Sequence, residues 1–149
     1  MLTRRIHKTI HRICDRFLRL KGAPHEIALG FSLGIMVGMT PFIGVHILSC
    51  VVLASLLGWS KVASVIGVNI TNVVTAPLIY PINYWVGVQL VGVSREVDWP
   101  GVPGYAEFLS FIRQSPLILV DLSIGGLVLG TPLAMAGYVI ILRAVRRFR

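Results

Sequence analysis

Two short groups of polar residues interrupt stretches otherwise built of aliphatic side chains. The first is Thr40, Pro41, Gly44 and His46 in Thr-Pro-Phe-Ile-Gly-Val-His; the second is Asn72, Thr75, Pro77 and Tyr80 in Asn-Val-Val-Thr-Ala-Pro-Leu-Ile-Tyr. A proline removes a backbone N–H and opposes continuation of a helix. Gly44 is expected to allow close approach of another backbone, and His46 is an ionisable ring at membrane depth, which marks a functional site by default. The structural alternative for His46 is a neutral imidazole sharing its N–H with a carbonyl freed at Pro41. Asn72 either lines a polar site or caps a helix, and Thr75 reads first as a cap for the half-helix ending before Pro77.

Enzyme chemistry finds little material here. There is no nucleophile elbow, phosphate loop, zinc spacing or carboxylate pair, and only six Asp and Glu residues. General acid–base catalysis needs positioned proton carriers. The expectation is therefore a non-enzyme, with no metal and no cofactor. Cys14 and Cys50 suit neither a disulfide nor a metal site. Cys14, near a membrane surface, is either an acylation site or a small apolar filler.

The elements that hold these groups follow from charge and length. Hydrophobic residues make up 55% of the 149-residue chain and charged ones 13%, against about 25% charged in soluble domains. The charges sit at the ends. Residues 1–21 hold seven Lys and Arg and one acid, and residues 143–149 hold four Arg. This leaves no folded basic face with interleaved aromatics, so no nucleic-acid partner is expected. Residues 27–60 and 62–94 lack any Asp, Glu, Lys or Arg. A spanning helix needs about 20 mostly apolar residues, so the chain reads as an all-α, polytopic integral membrane protein. Its domains are a basic segment, 1–22, and a transmembrane domain, 23–149, with apolar blocks 27–60, 62–94 and 117–142. The polar start and basic end argue against a cleaved signal peptide.

In the basic segment Ile6, Ile10, Ile13, Phe17 and Leu20 step by four, three, four and three, a single helical stripe. Arg4, Arg5, Lys8, Arg12, Arg16 and Arg19 fall mostly off it. Such a helix lies on an anionic leaflet with its cations among headgroups; a short coiled-coil seam is the alternative. Gly22 ends it, and Pro24 with Glu26 opens the next helix.

Block 27–60 is too long for one crossing and, cut at Pro41, too short for two, so an interrupted hairpin, re-entrant or steeply tilted, is expected. Block 62–94 is expected to break at Pro77 and Pro81. Irregular backbone at that depth must be covered by protein or line a wet cavity. The opposed breaks would then form a pocket, with positive helix ends at Pro41 and Pro77 suited to an ion or a lipid phosphate. Gly30, Gly34 and Gly38 make a tandem small-residue face for close helix packing, within the chain or to a second copy. Residues 32–41 match 123–132 faintly, at Ser, Gly, Val, Thr and Pro. The segment 95–115 has net charge −1 between ends of +6 and +4, which places both termini in the cytoplasm and the loop 95–116 outside.

The stretch from Pro24 through Ile27, Ala28, Gly30, Phe31 and Gly34 to Thr40, Pro41, Phe42, Gly44 and His46 resembles a bacterial membrane family, domain of unknown function 2062. The likeness continues at Asn72, Thr75, Pro77, Tyr80, Tyr84 and Gly87. Val73 stands where that family usually has Pro, and Trp85 where it often has Arg or Lys. The resemblance implies a multi-pass protein of the bacterial inner membrane. Members joined to glycosyltransferase domains point toward polyprenyl-phosphate lipids. The function expected is a small carrier or transporter-like protein handling such an anionic lipid or a small ion. The alternative is a non-catalytic oligomeric scaffold, or a partner of a cytoplasmic enzyme such as a glycosyltransferase. Membrane lipids with anionic headgroups and a second copy of the chain are the expected partners.

Overall fold

The computed structural model describes residues 22–41, 44–70, 75–93, 110, 113 and 116–148. Residues 1–21 with Cys14 and all seven cations of the basic segment, Asn72, and most of the loop 95–116 lie outside the described residues. Those described form five helices and no strand: α1 Pro24–Gly38, α2 His46–Leu56, α3 Lys61–Val68, α4 Ala76–Leu90 and α5 Ile118–Phe148.

α1 starts where the sequence indicates. Pro24 occupies the first turn, where a missing N–H costs nothing. Glu26 turns back to accept from the Ala23 N–H at 3.0 Å and places its charge at the positive end of the helix. The other end is set by Pro41. A continuing helix would need an N–H at that residue to reach the Val37 carbonyl. Thr40 supplies the bonds instead, through its N–H at 3.1 Å and its Oγ1 at 2.6 Å.

Axial position can be read from close backbone approaches. Ser60 N–H donates to the Glu26 carbonyl at 3.2 Å. The end of the α1–α2 hairpin therefore lies beside its beginning. α3 then runs in the same direction as α1: a Cβ on Gly30 would collide with the Ser60 carbonyl, and one on Gly34 with that of Ser64. α5 runs the opposite way, with Gly126 against the Met39 carbonyl, Gly130 against the Met39 side chain and Gly137 against Ile35 and Phe31. Ser32 Oγ ties the pair, donating to Ala134 O at 2.9 Å. α4 packs antiparallel on the first half of α5, Gly87 against the Asp121 carbonyl and Gly125 against that of Asn83.

α5 is thus the full-length stave. Its 31 residues span about 46 Å at 1.5 Å each. The 15-residue helices α1 and α4 reach only ~22 Å apiece and lie staggered beside it, the end of α1 level with Asn83 in the middle of α4. Two apolar clusters match this layout. Ile27, Ala28, Ala63, Ile141 and Val145 fill one end, and Tyr80, Tyr84, Ile118 and Leu122 the other.

Several expectations are corrected. Pro77 and Pro81 do not interrupt the second block. The break falls earlier, after Val68, and Pro77 sits in the first turn of α4, where its fixed φ suits the helix. Pro81 lies inside α4. Thr131 and Pro132 also lie inside a helix, whereas Thr40 and Pro41 follow the end of one, so the matched segments part at their last two residues. Among the described residues one helix, within α5, is long and apolar enough to cross a membrane.

Candidate functional site

The first break brings its polar groups to the C-terminal end of α1. His46, the first residue of α2, places Nε2 2.8 Å from the Thr40 carbonyl oxygen. A carbonyl only accepts, so Nε2 carries the proton in this contact. From α4, Tyr80 donates its hydroxyl to the same oxygen at 3.5 Å. One turn further along α4, Asn83 donates through Nδ2 to the Met39 carbonyl at 3.1 Å. The last carbonyls of a helix have no partner within it. Here three side chains from two other helices supply donors for two of them.

The expected residues of the two breaks, Asn72 excepted, have definite places among the described ones. Thr40 and His46 are half-buried, Pro41 and Tyr80 are buried, and Pro77 is half-buried at the start of α4. The pole at Pro41 is the negative end of α1, not the positive end of a following helix; that end is at His46. Thr75 precedes α4 without a side-chain cap on it. Its Oγ1 donates instead to the Ile70 carbonyl at 2.7 Å, closing the loop behind α3. Among the described residues nothing lies within 4 Å of a Cβ on Gly44, and its φ of +97° is the reason for glycine there. Gly30 and Gly34 form the packing face against α3, and Gly38 is buried. That face is consumed within the chain.

Two residues outside the expected set matter. Asn83 is 1% exposed, and its Oδ1 has no hydrogen-bond partner among the described residues. Reversing the amide would set Oδ1 against the Met39 carbonyl, acceptor to acceptor, so the orientation is fixed by Nδ2. A buried acceptor left unmet costs roughly 1–3 kcal/mol. The sequence signal was its register. Tyr80, Asn83 and Gly87 recur at helical spacing, and all three are buried. Asp121 is fully buried in the first turn of α5. Its Oδ1 accepts from the Val93 N–H at 3.3 Å, which ties the chain leaving α4 to α5.

The junction lies at the level of Gly126, about 26 Å along α5 from Arg143. No group of three or more His, Cys, Asp or Glu able to hold a metal is found among the described residues. Among the described residues the break is an acceptor-rich helix end with one oxygen to spare.

A family model described as an uncharacterized protein conserved in bacteria (DUF2062) matches residues 7–149. This extends the likeness seen in the motifs to nearly the whole chain. No curated protein and no solved structure gives a significant match.

Proposed function

The chain belongs to this family of uncharacterised bacterial proteins, and from that premise we propose that it is a multi-pass inner-membrane protein of carrier type, handling a small ion at the meeting point of its helix breaks. One observation carries the reading. The Thr40 carbonyl receives both His46, from the first break, and Tyr80, from the helix after the second. Side chains and carbonyls at interrupted helices are how membrane carriers build sites for ions.

The multi-pass arrangement is supported by what α2 and α4 leave uncovered. Leu48, Leu56, Leu78 and Trp85 are 66%, 78%, 71% and 63% exposed, as are Met135 and Ile140 of α5 at 66% and 63%. Monomers in water seldom show apolar surface on this scale; lipid tails cover it without cost. Lys61, Arg143, Arg146 and Arg147 all stand at the end of the molecule where α1 begins, which supports a cytoplasmic position for that end. On this assignment α1 and α2 form a re-entrant hairpin, α3 with α4 makes an interrupted crossing, the loop 95–116 lies outside, and α5 returns.

The negative pole of α1 and the spare oxygen of Asn83 support a small ion over the lipid phosphate. Reconstitution tests the function: purified protein in vesicles should give saturable uptake of a radiolabelled alkali cation above protein-free vesicles. A folded protein without such uptake would overturn the carrier reading. A second reading, the membrane scaffold, draws on the backbone contacts at Gly87, Gly125 and Gly126, which resist rocking of α4 and α1 against α5. It would stand if folded protein carries nothing.

A further inference from the structure

We infer that the junction of α1, α4 and α5 is a binding site for one small monovalent cation of about sodium size, with Asn83 Oδ1 as its ligand and the negative end of α1 as the field that favours it. The inference deepens the carrier reading and rests on it for its membrane setting.

The argument starts from the amide. Nδ2 alone meets the Met39 carbonyl, so a residue with a donor and no acceptor would serve if capping were the whole task. Asn83 instead keeps an oxygen inside the protein, 1% exposed and with no partner among the described residues. Such an oxygen needs a donor or a cation. The surrounding charge favours the cation. The C-terminal end of a helix carries about half a negative charge, and α1 ends here with the Met39 and Thr40 carbonyls side by side.

The ligand type sets the charge of the ion. Hard oxygen donors suit alkali and alkaline-earth ions. A divalent ion normally takes one or more carboxylates, and the named ligand here is neutral. The nearest acid along α5 is Asp121, one turn from Gly125, and its Oδ1 is held by the Val93 N–H. The nearby titratable groups on the other elements are His46 of α2 and Tyr80 and Tyr84 of α4. The first two already give their protons to the Thr40 carbonyl. A neutral oxygen at a helix end is enough for one monovalent charge.

The test uses the full-length protein in nanodiscs at constant ionic strength. Sodium, lithium, potassium and choline chlorides are compared by thermal unfolding and by equilibrium binding of radiolabelled sodium. The wild type should be stabilised in a saturable way by one of the small cations and not by choline. Asn83→Asp retains an oxygen ligand and adds charge but gives up the Nδ2 donor to Met39, so the cation-free protein should lose stability and its cation affinity should rise at least tenfold. Asn83→Leu should lose the cation-specific shift; if it fails to fold, Asn83→Asp carries the test. Equal unfolding in all four salts, or an unchanged cation response in either variant, would overturn the site. Vesicle uptake separates the two claims. Binding without uptake keeps this site and removes the carrier. Uptake that survives in Asn83→Leu removes this site and keeps the carrier.

Discussion

His46 and Tyr80, on different helices, converge on one oxygen: the Thr40 carbonyl lies 2.8 Å from His46 Nε2 and 3.5 Å from the Tyr80 hydroxyl. The oxygen belongs to the residue before Pro41, at an end of α1 that the helix's own backbone cannot satisfy. Two donors on one acceptor make the pair partly redundant, and redundancy has a measurable signature. His46→Ala or Tyr80→Phe alone leaves the oxygen one partner and should cost about 1 kcal/mol. The double variant strips both and leaves a buried acceptor, so its loss should exceed the sum of the singles by at least ~0.5 kcal/mol. Thermal or denaturant unfolding in detergent measures the cycle. Strict additivity would mean that the two contacts are independent.

Two kinds of glycine should respond differently to alanine. At Gly125 the added methyl meets the Asn83 carbonyl, and at Gly126 it meets that of Met39. Backbone cannot rotate away, so α4 or α1 must move off α5. Each change should destabilise by roughly 1–3 kcal/mol or more and should disturb the Asn83 contact. Gly44→Ala meets nothing among the described residues, but is held at φ +97°. Its cost should be about 1–2 kcal/mol, from left-handed strain alone, and Gly44→Asn should recover part of it. Unfolding midpoints of the four variants test the order.

Much of the fold was legible because it is written in charge and in local chemistry. The apolar blocks gave the all-helical class, and the last of them the helix long and apolar enough to cross a membrane. Pro24 and Glu26 marked the start of α1, and Thr40 with Pro41 marked its end, since each acts on its own turn. The second break lies earlier than expected because Pro77, set within an apolar block, reads as an interruption, whereas in a first turn proline is a helix former. Gly44 was assigned a close contact because sequence does not distinguish a glycine kept for φ from one kept for space. The meeting of Thr40 with Tyr80 was anticipated in outline, as two breaks at similar depth. The role of Asn83 was missed. Its pairing with Met39 depends on how α4 meets the end of α1, a long-range fact set by Gly87 of α4 and Gly125 of α5 at their mutual contact.

Topology gives a direct check on the membrane assignment. In a variant lacking Cys14 and the buried Cys50, Ser110→Cys should react with an impermeant maleimide added outside intact cells. Arg147→Cys, exposed at the end of α5, should react only after permeabilisation. The opposite pattern would invert the molecule and put the loop 95–116 in the cytoplasm.

The remaining prediction concerns whether His46 acts as a donor or as a titrating group. Its present contact needs a proton on Nε2 and an acceptor at Thr40, nothing more. Glutamine supplies an N–H donor and a spare acceptor, and it does not titrate near neutral pH. His46→Gln should therefore match the wild type in unfolding to within ~0.5 kcal/mol, whereas His46→Ala should not. If the carried species is a cation held by Asn83, the Gln variant should also retain vesicle uptake with the wild-type dependence on pH. A variant that folds normally yet has lost uptake, or has lost only its pH dependence, would transfer the essential proton to His46. The comparison is decisive because stability and uptake are read on the same preparation: the first reports the hydrogen bond to Thr40, and the second reports what the ring does beyond it.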